Sequence, residues 1–179
     1  MATPQEQRKI RLSHDYQEMQ NIKGSMVQWR PLVGAPPYVE KYELTINVKT
    51  IIGAGPEYRD RHVIHLTLPS GYPFSAPQIV MQNSPQPFHP NWYRDRRWCY
   101  GTWDTAEGLG HHVVRMIRTL QFDREITNER SAANDKANRW YKANLNRGWF
   151  PCDRQTLPDP TKSRFEIQSH IRKRFDIQG

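Results

Sequence analysis

The spacing of apolar residues changes period along the chain, and each change marks a new element. Thr3-Pro4-Gln5-Glu6 offers a capping threonine, a proline suited to the first helical turn and a glutamate three positions beyond the cap. Leu12, Tyr16 and Met19 follow at helical spacing, so a helix is predicted over about 4–21. Arg8, Lys9 and Arg11 fall on its other face, and Gly24 lies past its end. From Tyr42 to Lys49 apolar and polar residues alternate, the period of a half-buried strand. The Gly53-Ala54-Gly55-Pro56 turn leads to a second strand, His62 to Leu68, and Gln78 to Gln82 adds a short apolar one. Connections this short predict an antiparallel meander, taken as four-stranded.

Six of the 14 prolines fall between Pro69 and Pro90, which excludes helix and central strand over most of that stretch and predicts a rigid, extended loop. Leu109, Val113, Met116, Ile117 and Leu120 then mark a helix packed by one stripe, and Ala133, Ala137, Trp140 and Tyr141 mark another over about 130–145. The order of elements is that of an α+β fold. A core domain is expected over 1–146. Residues 147–179 form a C-terminal extension: a connector with three prolines and Gly148, then a short basic helix carrying Ile167, Ile171 and Phe175.

Composition narrows the class. At 179 residues the chain is long enough for one compact domain, and 20 aromatics offset an apolar content of 36%. No apolar run long enough to span a membrane is present, and Met1 to Ile10 lacks a signal-peptide core, so no membrane partner and a cytoplasmic location are expected. Cys99 and Cys152 are too few and too differently placed for a disulfide framework, and both are read as free thiols. The net charge of +8 suits an acidic partner, but no nucleic-acid recognition motif accompanies it. A zinc site from His89, Cys99 and His111 lacks a fourth ligand, and no metal or cofactor is expected. A cysteine hydrolase pairing Cys99 with His89, His111 or His112 lacks the local signatures of such enzymes.

The chemistry concentrates in one ordered series: Tyr72-Pro73-Phe74-Ser75-Ala76-Pro77, Phe88-His89-Pro90-Asn91, Cys99 eight residues after Asn91, then Trp103 and an amphipathic helix. In these motifs the chain resembles the ubiquitin-conjugating enzymes over roughly residues 4–145. The resemblance implies the fold of that family and an activity: a ubiquitin-like modifier is taken from an activating enzyme as a thioester on Cys99. It is then passed to an amine of a target protein, with or without a separate ligase. A carrier thiol must be partly exposed, and Arg94, Arg96 and Arg97 offer charge that favours its thiolate. The resemblance gives Asn91 the role of oxyanion donor, which can coexist with shaping its loop. His89 is expected to pin that loop, with Pro90 and Trp103 as motif residues.

By the same resemblance, Arg8, Lys9 and Arg11 would meet an acidic region of the activating enzyme. Phe74 would anchor a ligase, with packing under the proline loop as its alternative. Two features depart from the family pattern. Trp103 follows Cys99 by only four residues, and Asp123 to Asn128 contains no proline, so the family's acidic or serine gate is replaced by Asn128 or Thr127. Compact members of this kind resemble prokaryotic enzymes found in operons, several in antiviral defence. A catalytically weak or inactive module that only binds a modifier is the alternative function. Cys152 matches nothing in the motif and is taken as incidental.

Overall fold

A computed structural model describes residues 1–163; the final helix expected around Ile167, Ile171 and Phe175 lies outside them. The elements are α1 (Pro4–Ile22), β1 (Val27–Val33), β2 (Lys41–Ile46), β3 (Thr50–Gly53), β4 (Glu57–Arg59), β5 (His62–Thr67), β6 (Gln78–Met81), α2 (Leu109–Leu120) and α3 (Asp135–Ala143). The chain is α+β, with an antiparallel four-stranded sheet in the order β1-β2-β5-β6. One departure from the expected meander is the separate two-stranded hairpin β3–β4, set into the connection between β2 and β5. Among the described residues no helix is long and apolar enough to cross a membrane.

Each element follows from local chemistry. At the start of α1, Thr3 Oγ1 accepts from Glu6 N–H at 3.2 Å and Glu6 Oε2 accepts from Thr3 N–H at 2.7 Å, the reciprocal cap expected from the sequence. Alternation in β2 and β5 buries Tyr42, Leu44, Ile46, Ile64 and Leu66 on one face. Leu12, Met19 and Ile22 of α1 and Val113, Met116, Ile117 and Leu120 of α2 cover that face. α3 is shorter than predicted because the backbone before it is engaged elsewhere: Ala133 and Asn134 N–H donate to Pro90 O at 2.8 and 3.1 Å. Asn134 then caps the helix through Ala137 N–H at 3.1 Å. Residues 147–163 run on along the body, where Phe150 packs with Ile51, Phe122 and Tyr141 in a second apolar cluster.

α2 begins at Gly108, which has no side chain to cap the helix. Its caps come from α1. Asp15 Oδ1 accepts from Leu109 N–H at 3.0 Å, and Glu18 Oε2 accepts from Gly110 N–H at 2.9 Å and His111 N–H at 3.4 Å. These carboxylates meet the positive end of the helix dipole and take up N–H groups that would otherwise be orphaned in the interior. The approach is close: a Cβ on Gly110 would lie 2.8 Å from Glu18 Cβ and 3.0 Å from Pro160 Cβ. Burial raises the pKa of Asp15, against the lowering effect of its hydrogen bonds from Tyr72 and Arg11.

That network corrects the expectation of a free basic face on α1. Arg8 donates to Pro69 O and Tyr72 O, each at 2.9 Å. Arg11 pairs with Asp15 at 2.8 Å, donates to the carbonyls of Thr105 and Glu107, and lies over the Tyr72 ring at 5.1 Å. Long side chains reach around the helix to the loops beside it, so only Lys9 of the three remains exposed.

Asp15→Ala leaves Arg11, the Tyr72 hydroxyl and Leu109 N–H without their common partner, and should cost about 3 kcal/mol of stability. Lys9→Ala should shift stability by less than about 0.5 kcal/mol. Denaturant unfolding of both variants measures the difference.

Candidate active site

Cys99 stands at the end of a short hairpin whose geometry explains its spacing from Asn91. Trp92 and Trp98 form an antiparallel bridge, and both side chains are buried. Trp98 N–H donates to Ile79 O at 3.0 Å, and its indole N–H to Thr119 Oγ1 at 3.2 Å, which fastens the hairpin to β6 and α2. One residue outward, Cys99 N–H donates to Asn91 O at 2.9 Å. Eight residues is therefore the length of the hairpin, and the two residues are direct cross-strand partners. With both tryptophans facing the core, alternation turns Asn91, Cys99 and Tyr93 to the other face.

The loop before the hairpin is fixed by its own polar atoms. His89 is fully buried, its Nδ1 accepts from Asn91 N–H at 2.9 Å, and its ring lies 4.3 Å from that of Phe122. Burial drives its pKa down to about 3, so the ring is neutral and holds the Asn91 backbone through Nδ1. Pro90 supplies the carbonyl that receives Ala133 and Asn134 N–H. Asn91 is buried, and its Oδ1 accepts from Asn128 N–H at 2.9 Å. That bond assigns the amide: the oxygen faces Asn128 and the NH2 is left as the donor end.

The expected gate residues are already engaged in their own loop. Asn128 Oδ1 accepts from Arg130 and Ser131 N–H at 3.1 and 3.0 Å, and the Thr127 hydroxyl donates to Asp123 O at 2.8 Å. Among the residues singled out in the sequence, the structure thus joins His89, Pro90, Asn91, Cys99 and Asn128 through side-chain and backbone hydrogen bonds. Arg8, Lys9 and Arg11 belong to α1 and the contacts described above.

Cys99 is partly exposed in a groove of about 550 Å³. Pro69 and Ser75 to Pro77 form one side, and Tyr93, Arg97, Tyr100 and Gly101 line it beside the thiol; Asn91 is not among the lining residues. Trp103 donates its indole N–H to Pro73 O at 2.7 Å and packs on Tyr72, with ring centroids 5.9 Å apart. This holds the Tyr72–Pro77 loop so that Phe74 stays 78% exposed, and packing under the loop is not its role.

Sequence reasoning missed two features here. Tyr93 lies diagonally across the hairpin from Cys99, within reach of a long aromatic side chain. Its pKa is raised, chiefly by the neighbouring Cys99. The spacing of Tyr93, two residues after Asn91, becomes informative only once the hairpin register is known. The second is a clamp on the crossover that follows Cys99. Arg115 donates to Tyr100 O and, at 2.9 and 2.8 Å, to both oxygens of Glu107, which also meets His112 Nδ1 at 3.2 Å. Burial opposes its ionisation, yet His112 and Arg115 hold the Glu107 carboxyl down at about 2.

The three histidines weighed as partners for the thiol are engaged elsewhere: His89 with Asn91 N–H, His111 with Glu18 at 3.2 Å, His112 with Glu107. The arginines also differ from expectation. Arg97 is paired with Asp95 at 2.7 Å and stacked 5.1 Å from the Tyr93 ring, so its charge is compensated. Cys152 donates to Lys49 O at 3.3 Å, and burial pushes its thiol up to about 12. No family model matches the chain, and none of the curated proteins matches it.

Iodoacetamide at neutral pH should label Cys99 in the native protein and spare Cys152, as peptide mass spectrometry would read. The buried histidines give a pH prediction. His62, held near 4 by burial, and His89, near 3, stay neutral when folded but bind protons from about pH 6.5 downward when unfolded. Stability should therefore fall as pH drops from 6.5 to 4.5, above the range where carboxylates titrate. A thermal midpoint flat over that window would contradict the assignment.

Proposed function

We propose that this chain is a ubiquitin-conjugating-type enzyme, a cysteine acyltransferase that carries a ubiquitin-like modifier on Cys99. The observation that carries the reading is the backbone pairing of Asn91 with Cys99 across the hairpin, which holds a buried asparagine directly opposite a partly exposed thiol that lines a groove.

In the first step the Cys99 thiolate attacks the modifier's thioester on an activating enzyme. A new C–S bond forms and the activating enzyme's sulfur leaves as thiolate. In the second step a lysine amine of a target protein attacks the carbonyl on Cys99; the C–N bond forms, the C–S bond breaks, sulfur leaves as thiolate and the amine's surplus proton passes to water. Negative charge develops on the carbonyl oxygen, where the Asn91 NH2 is the donor in this scheme. Tyr93 borders the same sulfur. No cofactor enters either step.

Partner surfaces follow the same reading. Phe74, exposed on a loop fastened by Trp103, is the ligase-facing anchor. With Arg8 and Arg11 committed inside the chain, Lys9 and the exposed Ile10 are what α1 offers an activating enzyme. A prokaryotic cytoplasmic setting, with a role in antiviral defence, belongs to this proposal.

Cys99→Ser should give a reductant-resistant oxyester with the modifier or no adduct, and a reductant-sensitive adduct in that variant would overturn the assignment. Asn91→Asp keeps an oxygen for Asn128 N–H but removes the donor NH2. It should charge normally and discharge to free lysine about a hundredfold more slowly in single turnover. Unchanged discharge would restrict Asn91 to shaping the loop.

A further inference from the structure

Between Asn91 and Cys99 the chain turns through three arginines and one aspartate, Arg94-Asp95-Arg96-Arg97. Arg96 N–H donates to Tyr93 O at 3.1 Å and Tyr93 N–H to Arg97 O at 2.9 Å, which closes a three-residue loop, Arg94 to Arg96. Arg96 takes the left-handed position of that loop, with φ at 73°. Glycine ordinarily fills this position, since a Cβ there is strained. The conformation is held from outside: Arg96 O accepts from Met81 N–H and from the Trp92 indole N–H, each at 2.9 Å. A long cationic side chain thus occupies a site where the backbone favours glycine. Strain of this kind, over-determined by its surroundings, points to function.

The charge balance says what the function concerns. Asp95 compensates Arg97, whereas Arg94 and Arg96 are exposed and pair with no carboxylate among the described residues. None of the residues lining the adjoining groove around Cys99 is acidic. A lysine ammonium approaching Cys99 therefore meets positive charge, and only an acceptor bringing its own negative charge is drawn in.

We propose that the Arg94–Arg96 turn selects acidic acceptors, a lysine flanked by Asp or Glu in the target protein. This rests on the reading of Cys99 as a thioester carrier. Arg94 and Arg96 act on encounter and orientation; the reacting atoms are those of Cys99 and the amine.

The test uses the full chain with Arg94→Gln and Arg96→Gly combined, and has two arms. In the first, Cys99 attacks a dianionic aryl disulfide, 5,5′-dithiobis(2-nitrobenzoate), or a neutral one, 4,4′-dithiodipyridine; each reaction forms the mixed disulfide and releases one aryl thiolate. At low ionic strength the double variant should lower the dianion-to-neutral rate ratio about tenfold, and 0.5 M salt should remove that difference. In the second, single-turnover discharge compares the peptides Ac-Glu-Lys-Glu-NH2 and Ac-Gln-Lys-Gln-NH2; the wild type should prefer the acidic peptide about tenfold and the variant should not. Arg96→Gly alone should raise the thermal midpoint while it weakens the preference, a combination that a merely structural arginine would not give.

If no thioester forms, the carrier reading fails while the disulfide arm still reports on the turn. If the thioester forms and the peptide ratio is the same in both proteins, acidic selection is overturned and the carrier reading stands. An unchanged disulfide ratio also overturns the selection.

Discussion

Two carboxylates on α1 hold the beginning of α2, and the arrangement around Cys99 depends on that grip. Asp15 and Glu18 stand one turn apart and accept three consecutive backbone N–H groups from a helix that has no cap of its own. Their partners extend the effect. Arg11, drawn to Asp15, takes the carbonyls of Thr105 and Glu107, and Glu107 in turn holds Arg115 against the carbonyl of Tyr100. A continuous polar chain runs from the first helix to the residue after the thiol. In a low-dielectric setting such a chain is strong when every member is satisfied and costly when one is missing.

The second support is apolar. Trp92 and Trp98 anchor the hairpin through opposed, buried indoles, each of whose N–H groups finds an acceptor. With the indoles pointing inward, the opposite face is left to the alternate residues Asn91, Tyr93 and Cys99. The same two-residue period that shapes the sheet thus decides which side chains of the hairpin turn away from the core.

Local features were legible in the sequence. The reciprocal cap of α1, the alternation of β2 and β5 and the stripe of α2 rest on contacts within a few residues, and each reappears in the structure. What was not legible depends on distant partners. Asp15 and Glu18 have nothing in their local sequence to mark them; their burial is decided by α2, more than 90 residues later. Arg8 and Arg11 read as free for the same reason. The β3–β4 hairpin was hidden because Thr50 to Gly53 lacks alternation and its Gly-Pro turn served equally well as a simple connection. In the site, the spacing of Asn91 and Cys99 was visible, but the place of Tyr93 and the engagement of Asn128 required the register.

The sheet has two edges, and the hairpin bears on one of them. β1 carries Pro31, which lacks a donor and blunts that edge against pairing with another chain. At β6, Met81 N–H donates to Arg96 O and Ile79 O accepts from Trp98 N–H, so the segment bearing the thiol covers the edge itself. Lifting that segment away would uncover unpaired amides and carbonyls on an apolar strand, a template for aggregation. Colloidal stability and the integrity of the thiol site are therefore linked in this molecule: whatever loosens the hairpin also uncovers the β6 edge.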